Sequence, residues 1–137
     1  MVTPRRFLLV DDNPHDQLLA IEAFGDLCPD CELQVFGQGA AALAHLRTAA
    51  ALPDVILLDV NMPGMNGFEV LQALKADPRL VPIPVVMLST SGDRDDVRTA
   101  YTLCASSYLV KAASFQGFLK QVETFLRYWG EARIVPA

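Results

Sequence analysis

The chain has 137 residues, long enough to bury a sizeable core and too short for a second domain of ordinary size. Hydrophobic residues make up 52% and charged residues 20%, and no apolar run approaches the roughly 20 residues of a membrane helix, so a soluble protein is expected. The net charge of −5 without a dense Lys/Arg block removes support for nucleic-acid binding, and "MVTPRRFLLV" lacks the longer apolar region and cleavage site of a signal peptide; a cytoplasmic protein with protein or small-ion partners is expected.

The first apolar run, Phe7 to Val10, reads as a strand and ends in Asp11-Asp12-Asn13-Pro14. Two carboxylates about 4 Å apart repel by roughly 4 kcal/mol at an effective dielectric near 20, so a compensating group is required. Asn13-Pro14 reads as cap and first-turn proline of a helix over "HDQLLAIEAFGDL", with Leu18, Leu19, Ile21, Ala23 and Phe24 at helical spacing. "CPDC" follows, then a strand at Glu32 to Phe36. A redox Cys-x-x-Cys normally follows a strand and opens a helix, an order reversed here, and no second Cys or His pair stands at zinc-ligand spacing. Cys28, Cys31 and the odd Cys104 are therefore expected as reduced thiols.

Strands at Val55 to Leu58, Val85 to Leu88 and Ser107 to Val110 then alternate with helices over "GAAALAHLRTAA", "GFEVLQALKAD", "DRDDVRTAYTLC" and "SFQGFLKQVETFLRYW". The last helix places Phe115, Phe118, Leu119, Val122, Phe125 and Leu126 on one face. His15 and His45 are lone helix histidines expected on the surface, and Met62 and Met65 are expected to pack the loop after the third strand. The alternation predicts an α/β domain: a doubly wound, five-stranded parallel sheet with five helices. The almost wholly apolar third and fourth strands are expected at its centre, buried on both faces. A single domain over 1–129 is expected, with 130–137 as a tail and no separate output domain.

Ligands of such sheets bind beyond the carboxyl ends of the strands. The residues there are Asp11 and Asp12, Asp59, Ser89 and Thr90, and Lys111. Any one of them is ordinary at a solvated strand end; three carboxylates, a hydroxyl and an amine together are not. Hard oxygen donors without a His or Cys pattern suit Mg2+, with Mn2+ as an alternative, better than zinc. Magnesium commonly shares its shell with phosphate oxygens, and a carboxylate can act as the nucleophile that forms an aspartyl phosphate.

"LLVDDNP", "VILLDVNMPGMNGFEVL", "PVVMLSTS" and "SYLVK", in this order and spacing, resemble the receiver domain of bacterial two-component response regulators across nearly the whole chain. The resemblance implies a flavodoxin-like three-layer sandwich and a signalling module rather than an enzyme, with self-catalysed phosphorylation and dephosphorylation at most. It implies Asp59 as phosphoacceptor, Asp12 as a direct metal ligand, Asp11 as a ligand through a water, and a backbone carbonyl from Asn61. Ser89 would bond the phosphoryl group, Lys111 would supply the positive charge, Tyr108 would be the switch aromatic, and Asn61 and Ser91 would tune adduct lifetime. The partner implied is a sensor histidine kinase.

One departure stands out: the family usually has proline after the lysine, and this chain has Ala112. A non-proline cis bond costs about 2.5–4 kcal/mol, so the bond is either strained cis or the loop follows a trans path. "FLKQVETFLRYWGEARIVPA" is similar to the ends of single-domain receivers associated with phytochromes, the bacterial red-light kinases. That similarity implies a homodimer through the fourth helix, fifth strand, fifth helix and tail, extended by Trp129, Ile134 and Val135, unless the tail folds back on its own domain. Two alternatives are a Mg2+-dependent phosphohydrolase using Asp59 as nucleophile and a flavodoxin-type carrier. The first generally needs a cap that these short loops leave no room for; the second needs a Ser/Thr/Gly-rich phosphate loop where "DDNP" stands.

Overall fold

Residues 3–134 are described by a computed structural model. Five strands, β1 (Arg6–Val10), β2 (Glu32–Phe36), β3 (Val55–Asp59), β4 (Val85–Ser89) and β5 (Ser107–Val110), alternate with α1 (Pro14–Leu27), α2 (Gly39–Thr48), α3 (Gly67–Ala76), α4 (Arg94–Thr102) and α5 (Phe115–Glu131). All pairings are parallel, in the order β2-β1-β3-β4-β5. The order in which successive strands are added reverses between β1 and β3, which opens a crevice at their carboxyl ends.

Strand alternation sorts the core into two layers. Leu8, Val10, Ile56, Leu58, Val85 and Met87 point to one face and pack with Leu43 and Leu46 of α2, Leu71 and Leu74 of α3, and Ala100 of α4. Phe7, Leu9, Val55, Leu57, Val86 and Leu88 point to the other and meet Leu19, Ala23 and Phe24 of α1 and Phe118, Val122, Phe125 and Trp129 of α5. Every residue of β3 and β4 is buried, as their near-continuous apolar sequence requires of strands covered on both sides. In the second layer the Phe7 ring lies 5.3 Å from Phe24 and 5.7 Å from Phe125, both edge-on, which locks β1, α1 and α5 together.

Several expectations need correction. Cys28 and Cys31 form a disulfide: the α1–β2 turn, closed by the Cys31 N–H donating to the Cys28 carbonyl, brings their Cα atoms to 5.4 Å, inside the range a disulfide spans. Cys104 is the free cysteine among the described residues. Leu18, Ile21 and Phe115 are about half exposed, because α1 and α5 bury a stripe narrower than the helical spacing allows. Trp129 is 7% exposed and packs beside Phe125 within its own domain, so its ring is not free to anchor a partner. Ile134 also packs on this layer, which is the fold-back arrangement; Val135 lies outside the described residues. There is no cis peptide among the described residues, so Lys111–Ala112 is trans. Met62 is buried and Met65 partly so, both against the α2–α3 layer. His15 is exposed, and His45 lies half-buried beside Phe36, its Nε2 3.2 Å from Gln34 Oε1.

Candidate functional site

The site forms where β1, β3, β4 and β5 end side by side. After β1 the chain must turn into α1. Asn13 makes that turn, its side-chain oxygen accepting from the N–H groups of His15 (2.9 Å) and Asp16 (3.3 Å), with Pro14 opening the helix. Asp11 Oδ1 accepts in turn from the Asn13 N–H at 3.0 Å, which fixes the carboxylate. Asp59 closes β3, and the loop beyond it is drawn back by the Gly67 N–H donating to the Val60 carbonyl at 2.9 Å. A Cβ at Gly67 would overlap the Asp59 carbonyl and lie 2.8 Å from Val60 Cα, so glycine is what lets α3 start beneath the site.

Asp11 is 1% exposed and Asp59 6%, with Asp12 nearer the rim. One oxygen from each of the three lies within 4.8 Å of the others, a donor set whose hardness and spacing allow it to hold a divalent ion such as Mg2+ or Mn2+. Burial is the main cause pushing the Asp59 carboxyl from 3.8 up to about 7. The Lys111 charge works against this, Asp11 adds to it, the Asn61 N–H offsets some, and a hydrogen bond with Asp12 adds again.

Lys111 answers the repulsion anticipated between the first two carboxylates. Its ammonium donates to Asp11 Oδ2 at 2.9 Å and to Asp16 Oδ2 at 2.9 Å, and lies 3.9 Å from Asp59 Oδ1. Burial works to lower this ammonium, but hydrogen bonds to Asp11 and Asp16, with the charges of Asp11 and Asp59, more than offset it and leave it above its ordinary value. Asp16 was absent from the sequence reading. An acid in a helix's first turn is usual as a complement to the helix dipole, and only its position four residues after Asp12, on the turn facing the crevice, hinted at more.

Ser89 is fully buried, and its Oγ accepts from the Ser91 N–H at 3.0 Å and from Asn61 Nδ2 at 3.4 Å. Asn61 also donates its backbone N–H to Asp59 Oδ1 at 3.4 Å. Thr90 is exposed. Tyr108 packs against the α2–α3 layer, and its hydroxyl donates to the Ser91 carbonyl at 2.7 Å, tying β5 to the loop after β4. The structure thus brings Asp11, Asp12, Asp59, Asn61, Ser89 and Lys111 to one crevice, with Ser91 and Tyr108 on the adjoining loop and strand. Gln121 of α5 also reaches the loop beyond Lys111. Its signal in the sequence was slight, a polar residue set into an otherwise apolar helix face.

A carboxylate triad, a buried hydroxyl and a captive ammonium at the switch of a five-stranded parallel sheet define a phosphoryl-signalling receiver. The response regulator receiver domain profile matches residues 7–123, and the chain belongs to that family. It is similar nearly end to end to response regulator Rcp1 of Synechocystis sp., with 37% identity over 98% of this chain and 95% of Rcp1. The probable methanogenesis regulatory protein FilR2 of Methanothrix harundinacea is 39% identical over 92% of this chain and 84% of its own. Among solved structures, the phosphorylated cyanobacterial phytochrome response regulator RcpA matches with a TM-score of 0.91 at 35% identity, covering 98% of this chain and 99% of that one. The Mn2+-bound form of Rcp1 gives 0.89 at 37% identity, covering 98% and 100%.

Proposed function

We propose that this response regulator takes a phosphoryl group from the phosphohistidine of a sensor kinase onto Asp59. The observation that carries the reading is the placement of the buried Asp59 carboxylate beside Asp11, Asp12 and the Lys111 ammonium. An Asp59 oxygen attacks phosphorus, the P–N bond to the imidazole breaks, and the departing imidazole takes up a proton. A Mg2+ or Mn2+ ion supplies charge neutralisation on the phosphoryl oxygens when bound. Asp12 and Asp59 would hold it directly, Asp11 through a water, and Asn61 through its carbonyl. Lys111 and the Ser89 hydroxyl receive the phosphoryl oxygens. Movement of Ser89 toward them releases the loop that Tyr108 holds through Ser91, and the β4–α4 surface changes. Asn61 and Ser91, at the mouth, set how long the adduct lasts.

The likeness to RcpA, a phytochrome response regulator, supports a kinase of phytochrome type as the partner, and a cytoplasmic setting goes with such a kinase. No described helix is long and apolar enough to cross a membrane. The exposed Tyr101, Val110 and Tyr128 support a homodimer through α4, β5 and α5. Light scattering with and without residues 130–137 tests it; a monomer mass in both removes the dimer.

Incubation with acetyl phosphate and Mg2+, followed by intact-mass measurement, tests the central reading. One phosphoryl adduct that persists for minutes and is lost in Asp59→Asn is expected. Rapid turnover of varied phosphate esters without an adduct would replace this reading with a phosphohydrolase.

A further inference from the structure

Lys111 lacks the proline that usually follows this lysine, and something else must fix the strand end that carries it. Ala112 keeps an N–H that proline would not have, and it donates that N–H to Gln121 Oε1 at 2.9 Å. The same amide group donates through Nε2 to the Val110 carbonyl at 2.6 Å. One side chain therefore grips the peptide groups on both sides of Lys111, satisfying a donor and an acceptor at the point where β5 pairing ends. The Lys111 N–H itself donates to the Ser89 carbonyl at 2.7 Å, the last bond of the β4–β5 ladder. α5 can come this close because residue 117 is glycine: a Cβ there would lie 2.8 Å from Ala112 Cβ.

We propose that Gln121 is a positioning residue for Lys111, taking the place of the family's proline by clamping Val110 and Ala112 so that the ammonium reaches Asp11 and Asp59. Gln121 belongs to α5, whose Phe118, Val122 and Phe125 are anchored in the core on either side of it. The clamp is thus mounted on a rigid element rather than on the loop it steadies. A terminal amide suits the task because one planar group presents an acceptor and a donor side by side, matching an N–H and a carbonyl two residues apart. The value of the clamp for phosphoryl uptake rests on the function proposed above. The placement of Lys111 does not.

The experiment reads the two separately. In protein carrying 15Nζ-lysine, the Lys111 ammonium, held by Asp11 and Asp16, should give a slowly exchanging signal absent from Lys111→Met. Gln121→Met, of similar length but unable to make either bond, should shift that signal or broaden it into the solvent-exposed lysines. Gln121→Asn, one methylene too short to span both groups, should do the same. Gln121→Glu, which keeps only the acceptor for the Ala112 N–H, should fall between. With acetyl phosphate at saturating Mg2+, the uptake rate constant of the Met and Asn variants should fall about tenfold, while the Mg2+ affinity measured by calorimetry stays within twofold of the wild type.

An unchanged Lys111 ammonium signal in folded Gln121→Met or Gln121→Asn would overturn the clamp. So would wild-type uptake rates in those variants. Absence of uptake in the wild type would instead overturn the phosphoacceptor reading and leave the ammonium signal to decide the clamp.

Discussion

Replacing Asp59 by Asn in the metal-free protein should raise its stability at pH 8. Asp59 is 6% exposed, and burial together with Asp11 lifts its carboxyl from 3.8 to about 7. The folded state therefore keeps a proton that the unfolded chain has already lost between those values. Its stability falls as the pH rises from about 4 to about 7, and the whole penalty is present above that. Moving a carboxyl this far corresponds to roughly 4 kcal/mol at most, and solvent at the crevice mouth screens it to about 2 kcal/mol. Asn has the same shape and carries no charge to be forced into the site. Urea unfolding in EDTA should show Asp59→Asn about 2 kcal/mol more stable than the wild type at pH 8, with a smaller gap at pH 5. Saturating Mg2+ should then favour the wild type, since an ion that binds only the folded state at about 100 times its Kd contributes roughly 2.7 kcal/mol. An Asn variant no more stable than the wild type at pH 8 in EDTA would refute the electrostatic account of the site.

Lys111→Met removes the ammonium that sits between Asp11, Asp16 and Asp59. Leaving those carboxylates without their partner should cost about 3 kcal/mol in EDTA, with part recovered on adding Mg2+, as read by the urea midpoint. Arg79 donates from its guanidinium to the carbonyls of Leu46, Arg47 and Ala49, capping the end of α2 from the α3–β4 loop. Arg79→Ala should therefore lower stability by about 1–2 kcal/mol at every pH from 5 to 8, unlike the site variants. Cys104 has φ +69° at the end of α4, where the Ala105 N–H donates to the Ala100 carbonyl and the Cys104 N–H to that of Tyr101, a helix stop that favours glycine. Cys104→Gly should raise stability by about 0.5–1 kcal/mol; an unchanged or lower urea midpoint would count against strain at that turn.

The elements were legible because four strands are short, mostly apolar runs, β2 alternates, and each helix has a polar face, so the two periodicities never compete. Helix ends shifted by one or two residues and β1 begins one residue early, at Arg6, while β3 and β4 run one residue further: Asp59 and Ser89 are paired within them, yet their chemistry reads as loop. The crevice residues were legible for a topological reason, since parallel strands send all their carboxyl ends to one edge. Asp16 and Gln121 were not, because each meets Lys111 or its neighbours from a helix, and a helix position reveals its neighbours only once the helix has been docked. The cysteine pair was misjudged because spacing alone does not show that a turn brings two Cα atoms within bonding reach. The choice between the two places for Trp129 was not legible, because an aromatic near a chain end looks the same whether it closes its own core or a partner's.

Cys104 is exposed, lies in a turn closed by two backbone hydrogen bonds, and is the free cysteine among the described residues. With Cys28 and Cys31 joined, a thiol-reactive fluorophore would attach there without any engineered substitution. It would sit where α4 gives way to β5, in the turn that leads into the strand whose Tyr108 grips the loop beside Ser89. The protein thus carries a native labelling position from which a change on its signalling face can be followed in real time, as an emission change or as anisotropy when a kinase, or in the proposed dimer a second copy, docks.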